Sequence, residues 1–144
     1  MYVRRGELWL ARMIGVGSMQ TGIRPVIIVS NKKCNMNSGT ITVLEIEDIN
    51  DRYTVVPLTT KKKTPLPTHV DMESSMANKK SSIALCECIT TIDKSLLIRK
   101  LGDCSTLDML KINMGMLIQL GIDVFEMIKY IVGKKESGDV NESK

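Results

Sequence analysis

Four consecutive β-branched side chains, Val26-Ile27-Ile28-Val29, entered through Gly22-Ile23-Arg24-Pro25, set the strictest limit on what this chain can fold into. Valine and isoleucine suit a pleated, covered surface, so the run reads as a buried strand. Pro25 fits only the first residue of such a strand, and Gly22 lets the incoming backbone turn where a side chain would clash. Arg24 is therefore held on stiff backbone at a strand mouth. It reads either as a salt-bridging or solvated arginine or as a phosphate-binding or catalytic cation.

A chain of 144 residues, 43% hydrophobic and 25% charged, suffices for one globular core. No stretch has the apolar length of a membrane span, and Met1-Tyr2-Val3-Arg4-Arg5-Gly6 leads into no apolar signal segment, so a cytoplasmic protein is expected. The four cysteines, Cys34, Cys86, Cys88 and Cys104, include one C-x-C and no C-x-x-C. With a single histidine they do not assemble the usual zinc sets, and reduced structural thiols, with no metal or cofactor, are expected. The net charge of +4 is uneven: residues 1–63 hold ten Lys/Arg against five Asp/Glu, and residues 64–133 hold seven against eight. An N-terminal positive surface favours polyanions, nucleic acid first among them, or serves solubility alone.

Glu7 to Ala11 reads as the first strand, and the segment from Gly15 to Gly22 is too glycine-rich and polar for either regular element. Asn31 to Ser38 is a second loop. Thr40 to Ile46 and Tyr53 to Leu58 are β-rich runs joined by a polar turn, and Thr59 to Pro67, basic and twice interrupted by proline, ends the second. Thr68 to Asp71 suits a short edge strand, Met72 to Lys80 a loop or single helical turn, and Ser82 to Ile89 a central strand. Thr91 to Lys94 begins a turn, and Leu96 to Leu101 includes one more strand. A helix begins at Ser105, where Ser105 and Asp108 have capping-box spacing. Its apolar stripe, Leu107, Leu110, Met114, Leu117, Ile118 and Gly121, faces the core or a dimer partner. Val124 to Val132 adds a short second helix stopped at Gly133, and the residues after it form a disordered tail. About six short strands followed by one good helix predict a mainly β chain with α, a small, strongly curved β-barrel carrying a C-terminal helix.

Few routes to catalysis are available. One histidine rules out a two-histidine ribonuclease pair, and no acidic cluster resembles a two-metal site. His69 reads as a satisfied structural histidine, and Cys86 and Cys88, alternating with Leu85 and Glu87, as small hydrophobes on one face of a strand. The remaining candidates are Arg24 and the hydroxyls of Thr59 and Thr60, which close a β-run directly before Lys61, Lys62 and Lys63. Together they could surround a phosphate. Cleavage of RNA by its own 2′-OH requires stabilisation of a pentacovalent phosphate, and a guanidinium with a threonine hydroxyl meets that electrostatic need without metal.

These residues resemble the MazF/PemK-type toxins of bacterial toxin–antitoxin modules. The likeness rests on Arg5-Gly6-Glu7-Leu8-Trp9, Gly17 to Val26 with Asn31, Val55-Val56-Pro57-Leu58-Thr59-Thr60, Leu66-Pro67-Thr68-His69-Val70 and Thr91-Ile92-Asp93-Lys94, in the family's order. It implies an SH3-like barrel over residues 1–125, with 126–144 as a helical extension and tail. It implies a homodimer, metal-independent and sequence-specific cleavage of single-stranded RNA to 2′,3′-cyclic phosphate and 5′-OH ends, and neutralisation by a cognate antitoxin. By motif position, Arg24 and Thr59 match the catalytic pair, while Ser18, Gln20, Thr60, Lys61 and Lys62 border the RNA. The chain departs from the family at Met19, at Cys88-Ile89-Thr90, at Leu96, and in an apparent insertion at residues 45–52. Loss of polar and cationic groups there changes base reading. The competing expectations are a degenerate member that binds RNA or antitoxin as a regulator, and a gyrase-binding toxin of the same fold group, which the intact Arg24 and Thr59 motifs oppose.

Overall fold

The computed structural model describes residues 2–15, 21–31, 52–61, 63–73 and 81–136. Among the described residues, seven strands, β1 (Glu7–Met13), β2 (Gly22–Ile28), β3 (Arg52–Thr59), β4 (His69–Asp71), β5 (Ile83–Leu85), β6 (Thr90–Asp93) and β7 (Leu97–Asp103), precede two helices, α1 (Thr106–Leu120) and α2 (Val124–Glu136). The pairing is antiparallel in the order β4-β5-β3-β2-β1-β7, with β6 also on β3. The expected run at Thr40 to Ile46 lies outside the described residues, as do the Glu47 to Asp51 turn and residues 137–144.

The β-branched run is buried because both faces of the sheet are covered. Val26 and Ile28 join one apolar cluster with Trp9, Val55, Ile92 and Leu97. Ile27 and Val29 join another with Val56, Leu58, Ala84 and Ile112 of α1. Alternation therefore sends successive side chains into two different cores, and a continuous apolar run is the sequence that satisfies both. Glu7 ties the edges together. Its carboxylate accepts from the Arg4 amide at 2.8 Å and from Trp9 Nε1 at 3.1 Å, and pairs with Lys100 of β7 at 2.9 Å.

Four local expectations change. Pro25 lies inside β2 rather than at its start, and is tolerated because β2 pairs with β1 alone over Gly22–Pro25. The strand expected through Ile89 ends at Leu85, and Cys86–Cys88 forms a 3-10 turn, so the two thiols do not share a strand face. Thr90–Asp93 is a strand, because its threonines and Ile92 pair with Arg52 to Val55. Helix α2 continues through Gly133 to Glu136, its neighbours carrying a residue that costs about 1 kcal/mol in a helix interior.

Helix α1 is capped as its sequence requires: Ser105 accepts from the Asp108 amide at 3.1 Å, and Gly121 ends it in a left-handed conformation, φ 66°. Its inward residues are Asp108, Ile112 and Gly115, and the stripe of Leu107, Leu110, Met114 and Ile118 points away from the sheet. The core alternative for that stripe is therefore excluded. Gly115 lets the helix approach the 3-10 turn, since a Cβ there would meet Cys86 Sγ at 2.7 Å. Gly115→Ala should lower stability by about 1–3 kcal/mol. Cys86→Ala in the same chain should recover part of that loss in a denaturant-melt double-mutant cycle, whereas strictly additive losses would contradict the contact.

Candidate active site at the mouth of the central ladder

The β2–β3 ladder consists of Val26 opposite Pro57, Ile27 opposite Val56 and Ile28 opposite Val55. It stops there. Pro57 and Pro25 have no amide to extend it, and Thr59 is instead paired with Ile83 of β5 on the other edge of β3. Arg24 lies two residues before the Val26–Pro57 pair on β2, and Thr59 two residues after it on β3. Ala11 of β1, the partner of Arg24 on the opposite edge, is small and fully buried, which leaves room for the arginine stem.

Arg24 is half-buried, and its Nη2 donates to the Thr21 carbonyl at 2.8 Å, which orients the guanidinium. Thr59 is 6% exposed, and its Oγ1 accepts the Lys61 amide at 3.2 Å. A hydroxyl that accepts an amide in this way keeps its own proton for donation. Thr60 and Lys61 follow on the exposed side. Ser18, Gln20 and Lys62 lie outside the described residues, as does Met19.

Near this mouth, Glu87 and Thr68 take roles that the sequence does not single out. Burial and the Glu87 carboxylate push the Cys88 thiol up, while Lys63 and Arg24 act in the opposite direction. Both cations therefore lie close enough to the 3-10 turn to act on its thiol. Beside it, His69 Nδ1 accepts the Leu66 amide at 3.3 Å and Nε2 meets Glu87 Oε2 at 2.7 Å. With Nδ1 as acceptor, the ring proton sits on Nε2 and is donated to the carboxylate. Thr68 Oγ1 donates to Glu87 Oε1 at 3.0 Å. This agrees with a satisfied structural histidine and shows its task, which is to fasten the end of the basic Thr60–Pro67 segment to the turn carrying Cys88. Spacing along the chain gives no sign of it, because the β4–β5 pairing of His69 with Leu85 brings residues 18 apart together.

Cys86 and Cys104 are pushed up by burial to about 11 and about 12, so they remain protonated thiols at neutral pH. Cys34 lies outside the described residues. The cationic groups described at the mouth are Arg24, Lys61 and Lys63.

Burial pushes the Glu87 carboxyl upward, but a backbone hydrogen bond, His69 and Thr68 outweigh it and hold the group below its usual value of 4.5. Because the folded value is the lower one, the stabilisation is complete above pH 4.5 and is lost as pH falls through the folded value. Glu87→Gln should reduce stability by about 1 kcal/mol at pH 7. Thermal melts of parent and variant should converge as the pH drops below 4.5, and a gap that stays constant would contradict the clamp.

The chain is similar to known proteins along most of its length. The model of the PemK-like, MazF-like toxins of type II toxin–antitoxin systems matches residues 4–120. A protein of Staphylococcus epidermidis named endoribonuclease MazF is 36% identical over 127 residues, covering 86% of this chain and 96% of its own. An endoribonuclease from a mycobacterial species, solved in complex with its cognate antitoxin, aligns with a TM-score of 0.59 at 27% identity, over 84% of this chain and 97% of its own. MazF from Deinococcus radiodurans aligns with a TM-score of 0.65 over 85% of this chain and 99% of its own, and at 18% identity it bears on the fold alone. The extent of the family match and the identity to the staphylococcal protein show that this chain belongs to the PemK-like, MazF-like toxins of type II toxin–antitoxin systems.

Proposed function

We propose that this toxin is a metal-independent, sequence-specific endoribonuclease acting on single-stranded RNA, with Arg24 and Thr59 as its catalytic residues. The observation that carries this reading is that Arg24 and Thr59 each lie two residues beyond Val26–Pro57, the pair at which the β2–β3 ladder ends. In the reaction, the 2′-oxygen loses its proton as it bonds to the adjacent phosphorus, the P–O5′ bond breaks, and the leaving 5′-oxygen takes up a proton. The products are a 2′,3′-cyclic phosphate and a 5′-OH.

Negative charge accumulates on the non-bridging oxygens in the transition state. Arg24 supplies a fixed fork of donors to them, and Thr59, held through Oγ1 by the Lys61 amide, donates its proton alongside. Both groups are positioned before substrate arrives, which is what makes such donors effective. Arg24 stays protonated, so its part is electrostatic rather than that of a free base. Thr60, Lys61 and Lys62 hold the flanking phosphates, and Ser18 and Gln20 border the bases.

The named relatives support this assignment: the staphylococcal protein is an endoribonuclease MazF, and the mycobacterial endoribonuclease is complexed with its cognate antitoxin. The toxin acts in the cytoplasm as a homodimer and is neutralised by a cognate antitoxin. Among the described residues no helix is long and apolar enough to cross a membrane. The toxin domain spans residues 1–125, and 126–144 form an extension.

The test is cleavage of single-stranded RNA in EDTA, with the new ends mapped. Cyclic-phosphate ends are expected. Arg24→Ala should slow single-turnover cleavage by about 1,000-fold or more and Thr59→Val by about 100-fold, while Thr59→Ser keeps most of the rate. New 3′-OH ends, or undiminished cleavage by Arg24→Ala, would overturn the mechanism.

A further inference from the structure

Between the end of β3 and the start of β4 the chain runs through Thr60 to Pro67, and the residues described there, Lys61 and Lys63 included, are exposed. This strap is tied at both ends. At the first, the Lys61 amide donates to Thr59 Oγ1 at 3.2 Å. At the second, the His69 amide donates to the Leu66 carbonyl at 2.9 Å, and the Leu66 amide donates to His69 Nδ1 at 3.3 Å. The His69 side chain, 8% exposed, reaches Glu87 Oε2 at 2.7 Å, and Thr68 Oγ1 donates to Glu87 Oε1 at 3.0 Å. The Thr68 carbonyl also accepts from the Cys86 amide at 3.2 Å, so backbone and side chains fix the same end.

A tie at His69 bears on the lysines only if the chain between transmits it. Pro65 and Pro67 fix their own φ, and Thr64 and Leu66, each preceding a proline, are confined to extended backbone. Thr64 to Pro67 is therefore one stiff piece, and Lys63 is the residue it aims. Lys63 and Arg24 both act on the Cys88 thiol, against the upward push of burial and Glu87, so the two cations approach one point beside the mouth. Like charges held in this way repel each other, and a polyanion laid across them relieves the repulsion.

We propose that Lys63 binds an RNA phosphate next to the one held by Arg24, and that His69, Glu87 and Thr68 are positioning residues that aim Lys63 through the stiff Thr64–Pro67 piece. The inference rests on the endoribonuclease reading and adds to it one phosphate contact and the clamp that directs it. The clamp governs how tightly RNA is held more than how fast it reacts. Arg24 and Thr59 are oriented separately, by the Thr21 carbonyl and the Lys61 amide, and keep their places when the clamp is broken.

The test is single-turnover cleavage of a single-stranded RNA oligonucleotide at increasing concentrations of the full-length toxin, which separates the half-saturating concentration from the saturating rate. Lys63→Ala, at an exposed position, should raise the half-saturating concentration by about 10-fold and keep the saturating rate within about threefold of the parent. It should also lower the slope of log affinity against log salt by about 0.7, the loss of one single-strand phosphate contact. His69→Ala should do the same without removing any lysine, and His69→Gln, whose amide can still donate to Glu87, should recover most of the affinity. The combined Lys63→Ala and His69→Ala variant should bind no more weakly than Lys63→Ala alone. Losses that multiply would show that His69 acts elsewhere and would overturn the positioning role, as would an unchanged salt slope in His69→Ala. An unchanged half-saturating concentration in Lys63→Ala would overturn the phosphate contact. A parent that leaves the RNA intact is a separate outcome, which removes the endoribonuclease reading and this inference with it.

Discussion

The three-pair ladder between Val26–Ile28 and Val55–Pro57 is the constraint on which the rest of the molecule depends. Its side chains alternate into two apolar clusters, one closed by Trp9, Ile92 and Leu97 and the other by α1 through Ile112. Removing either cover would expose half of a fully apolar strand. The ladder also ends where prolines remove its donors, with Arg24 and Thr59 each two residues beyond its last pair. One short piece of sheet therefore holds the core together and opens the site.

Around that opening, polar groups are held by backbone more than by one another. Arg24 is oriented by the Thr21 carbonyl and Thr59 by the Lys61 amide, so neither needs the other to stay in place. The His69–Glu87–Thr68 clamp fixes the end of the basic segment against the Cys86–Cys88 turn, and the turn in turn rests on Gly115 of α1. Packing of the helix is thereby connected to the geometry of the mouth through a chain of direct contacts. Preorganisation of this kind suits a reaction whose main requirement is charge stabilisation at phosphorus.

Much of this was legible in the residues. The strand through Val26–Ile28, the break after Thr59 and the Ser105 cap all follow from local chemistry that tertiary packing reinforces. What escaped was decided by partners distant in sequence. Thr90–Asp93 has turn-like polarity but becomes a strand because Arg52–Val55 offers an edge. Cys86–Cys88 has strand-like apolarity but coils tightly because α1 approaches through Gly115. The stripe of α1 has the right period for a core face, yet periodicity alone cannot say which of two apolar faces meets the sheet. Glu87 drew no notice for the same reason, since its role exists only once β4 and β5 are paired.

The central claim is that Arg24 and Thr59 act on one phosphate across the end of the β2–β3 ladder. The most direct measurement is a double-mutant cycle on single-turnover RNA cleavage with Arg24→Ala, Thr59→Val and the pair combined. Groups acting on the same transition state lose rate non-additively, so the combined variant should cleave more than about tenfold faster than the product of the single effects predicts. Strict additivity of the two losses would contradict a shared site.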